Sequence, residues 1–153
     1  MMISINIFMK VILKFIILTY ILFSFSNVAL SRESFFNDAL KMYNEEKYED
    51  AKFLFERNIV FNPKNVDSYL YLAKIYNKKE EPKKEKQNLE TVLLIEPGNE
   101  EALLMSMKIA LKDSNYSEVE KLSKIFIKVC KKLCDENDSI KKSLENIESK
   151  NES

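Results

Sequence analysis

Cys130 and Cys134 are the two cysteines of this 153-residue chain, and their spacing is the first feature that could support chemistry. Side chains four residues apart on a helix share one face, and their Cα atoms lie about 6 Å apart, within the range that a disulfide permits. A disulfide and a pair of buried thiols therefore both remain open. A metal site would need further ligands, and a redox site would need a Cys-x-x-Cys spacing beside a strand.

The residue types that most active sites require are missing. Histidine is absent and Gly98 is the single glycine, so neither a histidine-activated nucleophile nor a glycine-rich phosphate loop can be assembled. The adjacent acids Glu80-Glu81 and Glu100-Glu101 point apart on a helix instead of converging. The sequence predicts a protein that is not an enzyme and that uses no cofactor and no metal. A hydrolase built on carboxylates is the catalytic alternative, and it would need a cleft of convergent acids.

The composition fits one packed domain without a charge bias. Hydrophobic residues make up 46% of the chain and charged residues 31%, with 24 basic and 24 acidic side chains. This balance gives no overall preference for nucleic acid, and the run from Lys78 to Lys86 is interrupted by acids, as in a solvated turn. The sequence therefore predicts no nucleic-acid partner, and it shows no sign of a small-molecule substrate.

The first 31 residues have the features of a targeting segment. Two lysines precede an uncharged run over residues 15–25, which has the length of a signal-peptide core and is too short to cross about 30 Å of hydrocarbon. Small residues at its end predict cleavage after Ser31 and export to a bacterial periplasm. The alternative is an uncleaved anchor over residues 11–30, which would be the chain's only contact with the membrane and would leave the protein facing the periplasm.

An internal period organises the rest of the chain. Pro63 and Pro97 lie 34 residues apart. The chain then divides into three units, residues 32–65, 66–99 and 100–134. In the second unit, the residues on the pattern W-x2-L-G-x2-Y are Tyr69, Leu72, Ala73 and Tyr76. This period and pattern resemble the tetratricopeptide-repeat family. A generic helical bundle is the competing interpretation, and it does not explain the period.

The resemblance implies an all-α fold, a right-handed solenoid of three helix-turn-helix hairpins followed by a C-terminal capping helix. Small residues let the two helices of a hairpin close, and large side chains fill the space between hairpins. The small contacts are Ala39, Ala51 and Ala73, and the large residues are Phe35, Tyr48, Phe55, Tyr69, Leu72, Tyr76 and Leu89. The expected helix N-caps are Asn65, Asn99 and Asn115.

The end of the chain predicts one further helix. Ile140, Leu144 and Ile147 form an apolar stripe on a charged segment, which is typical of a helix with one buried face. Residues 136–153 are therefore expected to form the capping helix, with a frayed tail from Glu148.

Two residues of the second unit depart from the family pattern. Pro82 stands where an aromatic residue is usual, and it is tolerated in the first turn of a helix. Glu85 stands where alanine is usual, which predicts looser packing in the second hairpin.

The resemblance also implies a binding surface. In tetratricopeptide-repeat proteins, the first helix of each hairpin lines a concave groove that binds a peptide or helix of another protein. The matching residues here are Phe36, Leu40, Tyr43, Leu70, Lys74, Asn77, Lys78, Leu104, Lys108, Leu111 and Lys112. Leucines flanked by lysines predict a partner segment with apolar anchors and acidic residues. The implied function is a non-catalytic adaptor of the cell envelope, and the alternative is a membrane-anchored assembly factor.

Overall fold

The computed structural model describes residues 35–151, with side chains as far as residue 145, and six residues near the N-terminus. These six are Leu13, Lys14, Ile16, Ile17, Thr19 and Tyr20, and all are helical. The rest of the expected signal peptide or anchor, the cleavage position after Ser31 and residues 152–153 lie outside the described residues. No helix in the described part of the chain is both long enough and apolar enough to cross a bilayer.

Seven helices occupy residues 35–151, and none of the described residues lies in a strand. They are α1 (35–44), α2 (Tyr48–Phe61), α3 (Val66–Lys78), α4 (Pro82–Ile95), α5 (Glu100–Lys112), α6 (Tyr116–Val129) and α7 (Cys134–Asn151). Helices α2, α4 and α6 begin 34 residues apart, and so do α3, α5 and α7. From α2 to α7, each helix packs against its neighbours in the chain, and α7 also packs against α5. Helix α1 packs against α2, where Ala39 lies in one core cluster with Ala51 and Phe55. The expectation of stacked hairpins and a C-terminal helix is confirmed.

The turn inside each hairpin has one geometry. Glu46, Glu80 and Ser114 occupy equivalent positions with φ of 60°, 56° and 56°, the left-handed conformation that commonly ends a helix. The backbone N–H of the next residue then donates to a carbonyl five residues earlier, as from Lys47 to Met42 at 2.9 Å. These bonds close the ends of α1, α3 and α5, so that the following helix turns back in the same direction each time.

The turns that begin α3, α5 and α6 use the expected asparagine caps. Asn65 Oδ1 accepts from the backbone N–H of Ser68 at 2.9 Å, and Asn99 Oδ1 accepts from that of Ala102 at 3.0 Å. Asn115 does the same at the start of α6, at 3.3 Å. The three caps are confirmed, and each satisfies a backbone donor that a helix start leaves free.

The turn before α7 is built differently, because it lacks the proline and asparagine of the other turns. Cys130 and Cys134 form a disulfide across it, with an S–S distance of 2.19 Å and a Cα–Cα distance of 5.4 Å. The carboxylate of Glu100 accepts from the backbone N–H groups of Lys132 and Leu133, both at 3.0 Å. The expectation that both cysteines share one helix is wrong, since α6 ends at Val129 and α7 begins at Cys134.

The core lies between the helices of each hairpin and between successive hairpins. Ala39, Ala51 and Ala73 are fully buried, which confirms them as close contacts. Phe55 is also fully buried and stacks on Tyr71 of the next hairpin, with ring centroids 5.2 Å apart. The hairpins are thus joined by large side chains on either side of small ones.

Helix α7 covers the last hairpin. Ile140 is buried and Leu144 partly buried against the core residues of α5 and α6. Ser123 donates a buried hydrogen bond to Asn137 at 2.8 Å. The helix begins two residues before the predicted start and continues to Asn151, beyond the expected fraying point.

Substituting Ala51 with leucine tests the close contact of the first hairpin. Ala51 is fully buried, so Ala51→Leu is expected to lower the free energy of unfolding by about 1–3 kcal/mol through overpacking. The thermal midpoint, followed by circular dichroism, should fall by several degrees. Gln87→Leu, at an exposed position of α4, is the control and should leave the curve in place. Coincident Ala51→Leu and wild-type curves would contradict the helix contact.

Candidate functional site

Helices α1, α3 and α5 and the start of α4 border a groove with a cavity of about 560 Å³. Six of the residues expected in the groove line this cavity, and they are Tyr43, Lys74, Asn77, Lys78, Lys108 and Lys112. The remaining lining residues are Pro82, Glu85, Glu101, Met105, Ile109 and Asp113. The cavity therefore brings together six of the eleven predicted residues, and the rest of its lining differs from the prediction.

The expected leucine stripe does not line this cavity. Leu70 and Leu104 are only 6% and 5% exposed. Leu70 packs in one core cluster with Leu89, and Leu104 packs in another with Ile140. Their position in the repeat turns the side chain towards the next hairpin instead of towards solvent, so the expectation of leucine anchors is wrong.

Two of the other apolar residues expected in the groove, Phe36 and Leu111, also contribute to the core. Phe36 is partly buried and lies 5.8 Å from Phe55 between ring centroids. Leu111 is partly buried against the core of the third hairpin. Leu40 is partly exposed, and it does not line the cavity described above.

Met105 and Ile109 supply the apolar lining in place of the leucines, and the sequence analysis missed both. Both lie on α5, four and eight residues after Glu101, and Lys108 and Lys112 follow Glu101 by seven and eleven residues. Residues at this spacing lie on one face of a helix. The helical period of α5 alone could therefore have found them.

The four lysines of the groove are not equivalent. Lys74 forms an ion pair with Glu101 at 2.8 Å, and Lys108 forms a longer one with Glu136 of α7 at 3.7 Å. Lys78 and Lys112 form no ion pair with a carboxylate in the part of the chain that the structure describes. The positive charge available to a ligand is therefore concentrated on these two.

Aromatic rings form the wall of the groove at its N-terminal end. The Tyr43 ring lies 4.9 Å from that of Tyr71 and 5.6 Å from that of Tyr48. Burial raises the pKa of the Tyr43 hydroxyl, and nearby Lys74 and Lys78 lower it by less. Lys78 lies over the Tyr48 ring, 5.1 Å from its centroid, in a cation–π contact that positions its ammonium group at the groove edge.

Glu85 is the buried acid of this site. It is 4% exposed and borders the cavity, and Asn77 Nδ2 donates to its Oε1 at 3.0 Å. Burial raises the pKa of the Glu85 carboxyl, and the hydrogen bond from Asn77 and the charge of Lys112 offset this only in part. Instead of loosening the second hairpin, Glu85 is packed and hydrogen-bonded within it.

A second surface of the protein carries the exposed apolar residues. From residue 35 to residue 145, the large apolar side chains that are exposed all lie on α2, α4 and α6, away from the groove. They are Phe53, Val60, Phe61, Leu94, Ile95, Ile125 and Ile127. Val60 and Leu94 are 77% and 81% exposed at positions 34 residues apart, so they lie side by side on adjacent hairpins. We call these seven exposed residues of α2, α4 and α6 the outer apolar row.

The fold resembles several solved structures. No protein-family model matches the sequence, and no curated protein matches it. The type III secretion chaperone SycD of Yersinia enterocolitica, in complex with a peptide of the translocator YopD, has a TM-score of 0.67 at 16% identity, over 78% of this chain and 93% of that chain. The Sgt2 TPR domain from Aspergillus fumigatus has a TM-score of 0.66 at 12% identity, over 80% and 83%.

A third similar structure contains a bound peptide. The second TPR domain of human RPAP3, in complex with the HSP70 peptide SGPTIEEVD, has a TM-score of 0.62 at 16% identity, over 74% of this chain and 98% of that chain. At these identities the likeness concerns the fold.

The raised pKa of Glu85 predicts how stability depends on pH. The folded state holds the proton more tightly than the unfolded state, so this group favours folding at low pH, and that contribution is lost as pH rises through the folded pKa. Glu85→Gln removes it. The free energy of unfolding of the wild type, relative to Glu85→Gln, should fall as the pH rises above about 4, the ordinary range of a glutamate carboxyl. Urea titrations across this range measure it, with Glu90→Gln as the matched control on α4. A difference that is flat or rises with pH would contradict the burial of this charge.

Proposed function

We propose that this chain, whose fold is that of the tetratricopeptide-repeat proteins, is a non-catalytic interaction module that binds a peptide or helical segment of another protein in its groove. The observation that carries the proposal is the cavity of about 560 Å³, whose lining includes Met105, Ile109 and two lysines that form no ion pair with the described residues. The neighbouring structures support it, since SycD binds a peptide of YopD and the RPAP3 domain binds a peptide of HSP70.

The lining indicates the chemistry of the partner segment. Lys78 and Lys112 attract acidic groups, and Met105 and Ile109 accept an apolar side chain in the same cavity. The flexible thioether side chain of Met105 adapts to several apolar shapes. The partner is therefore a segment in which acidic residues lie next to an apolar anchor, and the SGPTIEEVD peptide of the RPAP3 structure has this character.

The outer apolar row supports a second candidate, in which another protein binds the convex side of the hairpins. Val60 and Leu94 are among the most exposed apolar side chains of the described residues. Exposed apolar patches with polar edges mark interaction sites in many proteins. The groove is the preferred assignment because it combines a cavity with charge and apolar surface, whereas the row is convex.

We also propose that the protein acts in the cell envelope after export. The charge-free run over residues 15–25 supports export, and so does the Cys130–Cys134 disulfide, since disulfides persist in oxidising compartments. An adaptor in the periplasm would meet its partner there. The alternative is an assembly factor held at the membrane by its uncleaved N-terminal segment.

Charge reversal at two lysines of the cavity tests the groove. Lys78→Glu with Lys112→Glu should weaken binding of the partner segment at least about tenfold, or about 1.4 kcal/mol, with little change in thermal stability. The partner is first identified by cross-linking in native cells, and the affinity of its segment is then measured by fluorescence anisotropy. Wild-type affinity should fall with added salt. Lys74 and Lys108 are unsuitable, because reversal would place a second acid beside Glu101 or Glu136.

Val60→Ser with Leu94→Ser is the matched control on the convex side, and it should leave this affinity unchanged. If these two substitutions abolish binding while the lysine reversals do not, the outer apolar row is the working surface.

N-terminal sequencing tests the proposed export. The protein isolated from the cell envelope is expected to begin near Arg32, because signal peptidase cleaves after small residues. Intact Met1 or Met9 on membrane-embedded protein would instead establish the anchored form.

A further inference from the structure

The second hairpin contains a polar pair where the other two hairpins have apolar residues. Asn77 and Glu85 occupy the positions that Tyr43 and Ala51 hold in the first hairpin, and that Leu111 and Val119 hold in the third. Ala51 and Val119 are fully buried, and Glu85 is 4% exposed at the same level. Because both positions of the second hairpin are polar, the middle of the groove has a hydrogen-bonded carboxylate that the first and third hairpins lack at these positions.

This carboxylate has little compensation within the protein. Asn77 donates one hydrogen bond to it, and no lysine or arginine among the described residues forms an ion pair with it. A buried charge is costly unless it is paired and hydrogen-bonded. An alanine or a valine, as at Ala51 and Val119, would avoid that cost. Nearby Lys112 lowers the pKa of the Glu85 carboxyl by less than burial raises it, so a second cation beside this acid would stabilise its charge.

The carboxylate also faces the place where a ligand would lie. Glu85 lines the same cavity as Lys78 and Lys112. A segment that places acidic groups at these lysines passes Glu85. An acidic group at that point would repel the buried carboxylate, and an apolar group would leave it unpaired. A lysine or arginine would supply a charge-assisted hydrogen bond, and its apolar stem could lie along Met105.

We propose that Glu85 is a specificity-determining residue of the groove, and that it accepts a hydrogen bond from a lysine or arginine of the bound segment, next to the acidic residues held by Lys78 and Lys112. This inference rests on the proposed function, since it assigns the charge order of the segment that the groove binds. The groove thus selects a segment of mixed charge with a basic residue beside acidic ones, and a uniformly acidic segment is disfavoured.

A random peptide library tests this charge order without knowledge of the natural partner. Parallel selections use the full chain as wild type, as Glu85→Gln and as Asp113→Asn. Glutamine keeps an acceptor for Asn77 but removes the charge, and Asp113→Asn removes another carboxylate of the same cavity wall. Peptides selected by the wild type and by Asp113→Asn should be enriched in lysine or arginine beside acidic residues. Those selected by Glu85→Gln should keep the acidic residues and lose the basic one.

The affinities of one selected peptide then measure the contact directly. Replacing its basic residue with norleucine should weaken binding to the wild type about tenfold, and binding to Glu85→Gln less than about twofold. Equal losses in the two proteins would overturn the assignment, as would a basic preference that only Asp113→Asn removes. If Glu85→Gln fails to fold, Asn77→Leu with Glu85→Val provides the same test with the residues of the third hairpin.

The proposed function can fail separately from this inference. If Lys78→Glu with Lys112→Glu leaves the affinity of the selected peptides unchanged, the groove is not the binding site, and both proposals are overturned. If that variant loses binding while Glu85→Gln selects the same basic residues as the wild type, the groove binds acidic segments and only the role of Glu85 is overturned.

Discussion

The helices of the first two hairpins meet at three small residues that are fully buried, Ala39, Ala51 and Ala73. Because the two helices of a hairpin approach at these small residues, the large side chains beside them extend between hairpins, where Phe55 stacks on Tyr71 at 5.2 Å. That stacking joins the first hairpin to the second, and Ala102 of α5 packs with Leu70 and Leu89 of the second hairpin. The two contacts together set α1, α3 and α5 side by side along the groove. A larger residue at one alanine would therefore change the distance between helices first and the shape of the groove second.

The groove derives its charge pattern from contacts between successive hairpins. Lys74 reaches Glu101 of the next hairpin, and Lys108 reaches Glu136 of α7. Such exposed ion pairs add little to stability, but they determine which cations stay available to a ligand. Among the described residues, Lys78 and Lys112 are then the lysines of the groove that form no ion pair, and both line the same cavity as the buried acid Glu85. The net charge of the groove is modest, and its selectivity must come from where each charge lies.

The sequence predicted the features that depend on local geometry. Pro63 and Pro97 gave the period, and Asn65 and Asn99 gave the helix starts, because a turn requires those residue types wherever it occurs. It could not predict which groove positions stay exposed. Leu70 and Leu104 were expected at the surface and are buried, since their exposure depends on the angle between hairpins. The ion pairs of the groove depend on the same angle and were missed for the same reason.

The last turn shows that the position of a helix start matters more to this fold than the residues that build it. Helix α7 begins 34 residues after α5 although its turn has Lys131 and Leu133 in place of proline and asparagine. The disulfide and the carboxylate of Glu100 hold that turn by other means. The start must be kept because α7 covers the core with Ile140 and pairs with Lys108 of the groove through Glu136. The start of α7 thus positions both Ile140 in the core and Glu136 beside Lys108. A shift of this helix start would therefore change the core and the charge of the groove together.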